Sequence, residues 1–182
     1  NKKVVLITST ESGEGKTFIS ANLACSFGLN EKKVLLVGMD IRNPQLSTVL
    51  NFSRGKGFAD YWSKGIDDWH DLVKKPVASI PNLDVLEGGT VPPNPNELLK
   101  SQRVEEFFNQ AREEYDLIIV DAAPLGIISD TFLLSKYSNF SLYIVRENVT
   151  HKSAINFVNT IYEEDRFENL YILLNDSVSA SR

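Results

Sequence analysis

The residues best equipped for chemistry stand together near the start of the chain, in Thr8-Ser9-Thr10-Glu11-Ser12-Gly13-Glu14-Gly15-Lys16-Thr17. Glycines at 13 and 15 let backbone N–H groups curl round an anion, and a helix opening behind them adds partial positive charge. In such a loop a lysine reaches the β- and γ-phosphates of a nucleotide and a Thr hydroxyl ligates Mg²⁺, the jobs open to Lys16 and Thr17. The pattern G-x-x-x-x-G-K-[ST] is met except at its first glycine, which is Thr10. Gly-Lys-Thr alone also describes a glycine turn with an exposed lysine; context separates the two, because this loop follows a short apolar run and opens a stretch of helical period. The contacts expected with a nucleotide are Gly13, Glu14, Gly15, Lys16, Thr17 and Phe18.

Magnesium is a hard cation that takes oxygen ligands and ordered waters, so a phosphate cradle calls for carboxylates nearby. Asp121 follows the apolar run Leu117-Ile118-Ile119-Val120, and Asp40 follows Val34 to Met39. With Thr17 they make the expected metal set, and with Lys16 and Arg42 the expected catalytic set. Each has a plainer reading: Asp121 as a loop cap, Asp40 and Arg42 in Asp40-Ile41-Arg42 as a local ion pair. Asp130 stands either on the γ-phosphate side or as a helix cap.

These residues need a frame. Short apolar runs recur at Val4–Thr8, Val34–Val37, Leu83–Leu86, Leu117–Val120, Leu142–Val145 and Tyr171–Leu174, several without polar alternation, as in strands buried on both faces. Between them lie stretches of helical period: Ile19, Leu23 and Phe27 with Phe18, Ala21 and Cys25; Val104, Phe107, Phe108 and Ala111; Ala154, Phe157, Val158 and Ile161. Such alternation predicts an α/β fold, a mostly parallel sheet flanked by helices on both faces, with ligands at the carboxyl ends of the strands. Residues 43–81 are expected to hold short helices rather than a sheet strand, and Asn94-Pro95 to cap and start a helix.

The 182 residues fit one domain, 1–182, and 42% hydrophobic with 24% charged residues excludes disorder. A net charge of -5 gives no basic field for nucleic acid, so any phosphate binding is local. The single cysteine, Cys25, fits a reducing compartment, and no apolar run is long enough to span a bilayer.

With these anchors the chain resembles the bacterial tyrosine kinases (BY-kinases), P-loop domains of the deviant-Walker type tied to capsule and exopolysaccharide production. The resemblance covers nearly the whole chain. It rests on Ser12 to Thr17, Ile19-Ser20-Ala21-Asn22-Leu23-Ala24, Asp40-Ile41-Arg42-Asn43-Pro44, Gly88-Gly89 with Pro92-Pro93-Asn94-Pro95-Asn96-Glu97-Leu98-Leu99, and Tyr115 to Asp121 ending in Pro124. The proline-rich stretch separates these kinases from the related ATPases of chromosome partition and division-site placement, which also usually carry a lysine where Glu11 stands. No H-R-D, D-F-G or V-A-I-K motif of eukaryotic-type kinases occurs.

The resemblance implies transfer of the ATP γ-phosphate to a tyrosine hydroxyl, with Lys16 on the transferring phosphoryl, Thr17 and Asp121 at Mg²⁺, and Asp40 as the candidate base. It implies that Asn175, with Arg146, meets the nucleotide base. It further implies a cytoplasmic domain tethered at the inner face of the membrane and a membrane-embedded polysaccharide co-polymerase activator, in the same or a separate chain. It implies homo-oligomers in the full-length protein and a tyrosine substrate that includes its own C-terminal tail in trans; nucleic acid is not a partner. The family's second strand usually ends D-x-D-x-R, but here Gly38 replaces the first aspartate, and Ala122 stands where a hydroxyl residue is common. The alternative is therefore a nucleotide-gated ATPase switch with little kinase activity. The six tyrosines are scattered and read mostly as packing residues. A piece of a longer protein, monomeric or weakly associating, is the simplest expectation.

Overall fold

The computed structural model describes residues 3–63, 65–126 and 131–178. In chain order these form β1 (Val4–Ser9), α1 (Lys16–Leu29), β2 (Val34–Met39), α2 (Leu46–Val49), α3 (Phe58–Ser63), a 3₁₀ turn (Trp69–Leu72) and β3 (Leu83–Leu86). There follow α4 (Pro95–Leu99), α5 (Gln102–Glu114), β4 (Leu117–Ala122), α6 (Thr131–Ser135), β5 (Phe140–Arg146), α7 (Lys152–Glu163) and β6 (Leu170–Asn175). The six strands make one sheet in the order β3-β2-β4-β1-β5-β6, with every neighbouring pair parallel. All carboxyl ends therefore lie along one edge, and most of the candidate residues stand at those ends or in the loops that leave them.

Alternate side chains leave the sheet on opposite sides, as the two-residue strand period requires. Leu35, Val37 and Met39 of β2 join Ile118 and Val120 of β4 in a core covered by α3, α5 and α7, where Trp69, Phe58, Phe107 and Phe108 pack. Val34, Leu36 and Ile119 point the other way, under α1 and α2. Helices thus cover both faces, as predicted.

The face of α1 differs from the expectation. Its buried residues are Lys16, Ser20, Ala21, Ala24 and Gly28, whereas Phe18 and Phe27 are exposed. The inner face of α1 packs so closely that only small side chains fit: a Cβ on Gly28 would come within 2.6 Å of Ile80, in the loop before β3, and 3.5 Å of Leu83 on β3. β6 differs too. It is the sheet edge, and Tyr171, Ile172 and Leu174 are exposed despite their apolar run. In the 43–81 region short helices form as expected, with one addition: Lys74 makes a single antiparallel bridge to Val85. Pro95 does open α4, but Asn94 makes no side-chain cap; its amide reaches Glu97 instead. Four tyrosines, at 61, 115, 137 and 143, are buried, while Tyr162 and Tyr171 are exposed.

Candidate active site at the phosphate loop

β1 delivers the chain to the sheet edge, and residues 10–15 turn back so that α1 starts at Lys16. Gly13 and Gly15 have φ of 88° and 98°, values open to glycine and strained for other residues. At Gly15 space forbids a side chain as well, since a Cβ would lie 2.2 Å from the Asn175 amide nitrogen. Thr10 is not among the residues with positive φ, so glycine is not required there. Its hydroxyl instead pairs with Tyr143 at 2.6 Å, and its carbonyl accepts the Gly126 N–H at 3.0 Å. Burial pushes the Tyr143 hydroxyl up to about 12, so it stays protonated. The departure at the first glycine is thereby absorbed by a side-chain brace.

The loop lines a cleft of about 330 Å³ together with Lys16, Thr17, Phe18, Asp40, Asn43, Gln45 and Val49. Lys16 is 7% exposed, and its ammonium makes no hydrogen bond or ion pair with any described residue. Burial lowers its pKa, and Asp121, Asp40 and Glu14 act in the opposite direction. Asp121 is buried at the end of β4 and accepts a hydrogen bond from the Ser20 hydroxyl at 3.3 Å. Its pKa is raised to about 7 by burial, against the pull of Thr17 and Lys16. Asp40 follows β2, donates its backbone N–H to the Asp121 carbonyl at 3.0 Å, and accepts the Asn43 N–H at 3.1 Å. Burial raises its pKa also. A desolvated lysine, a hydroxyl and two carboxylates thus converge where three strands end, beside the N-terminus of α1. The hydroxyl and the two carboxylates are hard oxygen donors suited to a Mg²⁺–polyphosphate, and the ammonium, unpaired among the described residues, suits an anion.

A second cleft, of about 210 Å³, lies on the other side of Phe18 and is lined by Gly15, Arg146, Asn175 and Asp176. Here the side chains are already engaged. Arg146 donates to the Gly13 carbonyl at 2.8 Å and to Asp176 at 2.9 and 3.0 Å, while the Asn175 amide donates to the Glu14 carbonyl at 3.0 Å. Phe18, 58% exposed, walls both clefts.

Of the other candidates, Arg42 is not among the residues that line the cleft; it donates to Asn96 at 3.2 Å, tying the loop after β2 to the proline-rich segment. The Glu14 side chain is buried against Glu11 and Thr150 and does not line the cleft. Gly38 is buried where the Glu87-Gly88 backbone packs: a Cβ there would meet the Gly88 nitrogen at 3.0 Å and Leu46 at 3.1 Å. The glycine is thus a close-packing residue, and Glu87 beside it turns its carboxylate to Gly55 and Lys74. Ala122 belongs to the core on the opposite face, so a hydroxyl there would not line the cleft. Asp130 lies outside the described residues. Sequence reasoning missed Ser20, Thr150 and the cleft residues Asn43 and Gln45; for Ser20, the four-residue spacing from Lys16 on a helix was an available signal.

The family model of the CobQ/CobB/MinD/ParA nucleotide binding domain matches residues 5–177. The tyrosine-protein kinase CpsD of Streptococcus pneumoniae is 36% identical over 155 residues, 84% of this chain and 66% of that protein. The tyrosine-protein kinase YwqD of Bacillus subtilis (strain 168) is 34% identical over 150 residues, 82% of this chain and 62% of that one. The chain spans somewhat less than two thirds of the length of these relatives. Among solved structures, the kinase domain of the Escherichia coli tyrosine kinase ETK matches with a TM-score of 0.88 at 26% identity, covering 100% of this chain and 71% of that chain. The chain therefore belongs to the CobQ/CobB/MinD/ParA nucleotide-binding domain family, and within it to the kind of domain that the bacterial tyrosine kinases carry.

Proposed function

We propose that this chain, as one domain over residues 1–182, is an ATP-dependent protein-tyrosine kinase that serves capsular or exopolysaccharide polymerisation or export. The observation that carries the reading is the buried Lys16 ammonium, unpartnered among the described residues in front of the glycine loop, with Thr17, Asp40 and Asp121 gathered round it. Supporting it is the similarity to proteins named tyrosine-protein kinases.

Thr17, Asp40 and Asp121 would hold Mg²⁺, directly or through water, and the bound ion would offset charge on the phosphate oxygens. Lys16 and the N-terminal N–H groups of α1 hold the transferring phosphoryl group, in a site where burial strengthens each interaction. The tyrosine oxygen forms a bond to the γ-phosphorus as the bond from that phosphorus to the β–γ bridging oxygen breaks, and ADP leaves. Asp40, which lines the cleft, accepts the tyrosine proton as general base. Arg42 acts from outside the cleft, by holding the loop that carries Asp40. Asn175 and Arg146 flank the base, where an amide suits adenine's paired donor and acceptor.

No described helix is long and apolar enough to cross a membrane. In this reading the domain is cytoplasmic, tethered at the inner face of the membrane through an activating co-polymerase segment in the same or a separate chain. It forms homo-oligomers in the full-length protein, takes tyrosines of its own tail or of a partner, and does not use nucleic acid. The test is incubation of the chain with its native flanking segments and Mg·ATP, followed by mass spectrometry for phosphotyrosine, beside Lys16→Met. Phosphotyrosine in the wild type and none in the variant is expected; ADP release without phosphotyrosine would replace the kinase with the nucleotide-gated switch.

A further inference from the structure

Glu14 sets a carboxylate inside an anion cradle, where its charge opposes that of any phosphate. Yet it is 1% exposed and bonded through both oxygens: one accepts the Glu11 N–H at 2.6 Å, the other the Thr150 hydroxyl. Thr150 lies in the loop between β5 and α7, and its oxygen also accepts the Arg146 N–H at 2.8 Å. Two further bonds run the same way, from Arg146 to the Gly13 carbonyl and from Asn175 to the Glu14 carbonyl. A trans peptide is planar with its C=O and N–H opposed. Pinning the carbonyls of Gly13 and Glu14 toward β5 and β6 therefore turns the N–H groups of Glu14 and Gly15 away from those strands, as a phosphate cradle needs. The ends of the two strands farthest along the sheet thus set the shape of the loop.

Resting on the nucleotide reading of the same site, we infer that Glu14 and Thr150 form a latch, a positioning pair that holds the phosphate loop in its binding shape from the base side of the cleft. The latch fixes donors before any ligand arrives, which is where preorganised sites gain their affinity. It also explains the buried negative charge: the carboxylate works as a fastener, facing Glu11 and Thr150 rather than the ligand.

The test is calorimetric titration of the full chain with Mg·ADP, in the wild type and in Thr150→Val, Thr150→Ser and Glu14→Gln, with unliganded melting midpoints alongside. Thr150→Val, equal in shape but without the hydroxyl, is expected to raise Kd about tenfold, and Thr150→Ser to restore it to within about threefold. Glu14→Gln decides by sign. Removing a negative charge near the phosphates would by itself tighten binding, whereas loss of the latch weakens it; a Kd raised severalfold is expected. In the double variant Thr150→Val with Glu14→Gln the losses should not add. Wild-type affinity in Thr150→Val, or tighter binding in Glu14→Gln, would overturn the latch while leaving the nucleotide reading intact. If Thr150→Val does not fold, the direction of the change in Glu14→Gln is decisive by itself. Absence of heat with the folded wild type would overturn the nucleotide reading and the latch with it.

Discussion

On the phosphate side of the cleft, Lys16 is buried at the start of α1, Asp121 is buried at the end of the central strand β4, and Asp40 follows the neighbouring β2. On the base side, Arg146 and Asn175 stand on β5 and β6, where the sheet runs out into solvent and the Arg146–Asp176 pair is over a third exposed. The first group sits in low dielectric with a cation unpartnered among the described residues and carboxylates of raised pKa; the second is a set of satisfied, partly solvated bonds. Charge held out of water interacts strongly, whereas exposed pairs contribute little. In the proposed function, the contrast gives the grip on the ligand to the phosphate side, and to the base side the tasks of selecting the ligand and shaping the loop.

The sharpest way to break this contrast is Lys16→Met. It removes the ammonium yet keeps the stem's bulk, and is expected to lower phosphotransfer at least about a thousandfold, measured by phosphotyrosine formation. Asp121→Asn comes next, with two effects of opposite sign. Phosphotransfer should fall about a hundredfold or more. Stability of the ligand-free protein should rise at alkaline pH, because the Asp121 carboxyl has a folded pKa of about 7 against 3.8 in the unfolded chain. The wild type is favoured by the neutral acid at low pH and loses that contribution as pH climbs through 7. The asparagine variant loses nothing, so it should exceed the wild type by about 2–4 kcal/mol at about pH 8.5, with the gap closing toward about pH 4. Urea titrations at the two pH values measure it.

Gly38→Asp restores the residue usual in the kinases and is expected to fail as a gain of function. The side chain would press on the Gly88 backbone and Leu46, costing about 1–3 kcal/mol by denaturant unfolding, with no rise in phosphotransfer. On the base side, Asn175→Ala should raise the KM for ATP about three- to tenfold with kcat nearly unchanged, in contrast to the loss in kcat at Asp121.

The smallest effect lies far from the cleft. His70 is held between Asp68 and Glu114, and although burial lowers its pKa, hydrogen bonds to Glu114 and then Asp68 outweigh it, so the net shift is upward. Its contribution is present below the ordinary value of 6.5 and fades as pH rises through the raised value. His70→Gln should flatten this dependence, moving the melting midpoint by about a degree.

The same division explains what could be read from sequence. The phosphate side is written locally: Gly13-Glu14-Gly15-Lys16-Thr17 is contiguous, and Asp40 and Asp121 each follow an apolar run whose strand character is evident. The base side depends on contacts distant in sequence. Glu14 and Thr150 are 136 positions apart, and nothing near Thr150 marks it as a partner of the loop. Strand edges were equally hidden, because the run Tyr171-Ile172-Leu173-Leu174 has the same composition as a buried strand and only the sheet order puts it outermost. Most of the inner face of α1 escaped notice for a different reason: periodicity ranks large apolar residues as buried, but the close packing of the helix selects Ser20, Ala24 and Gly28 beside the expected Ala21 and leaves Phe18 outside. At Gly38 a lost carboxylate was visible, while the Gly88 backbone filling its place was not.

The central claim, that a nucleotide is gripped by its phosphates at Lys16 and the glycine loop, is tested most directly by calorimetric titration with Mg·ADP of the wild type against Lys16→Met. One-to-one saturable heat in the wild type and none in the variant is the predicted result. A folded wild type that gives no heat, or two proteins that bind equally well, would contradict it.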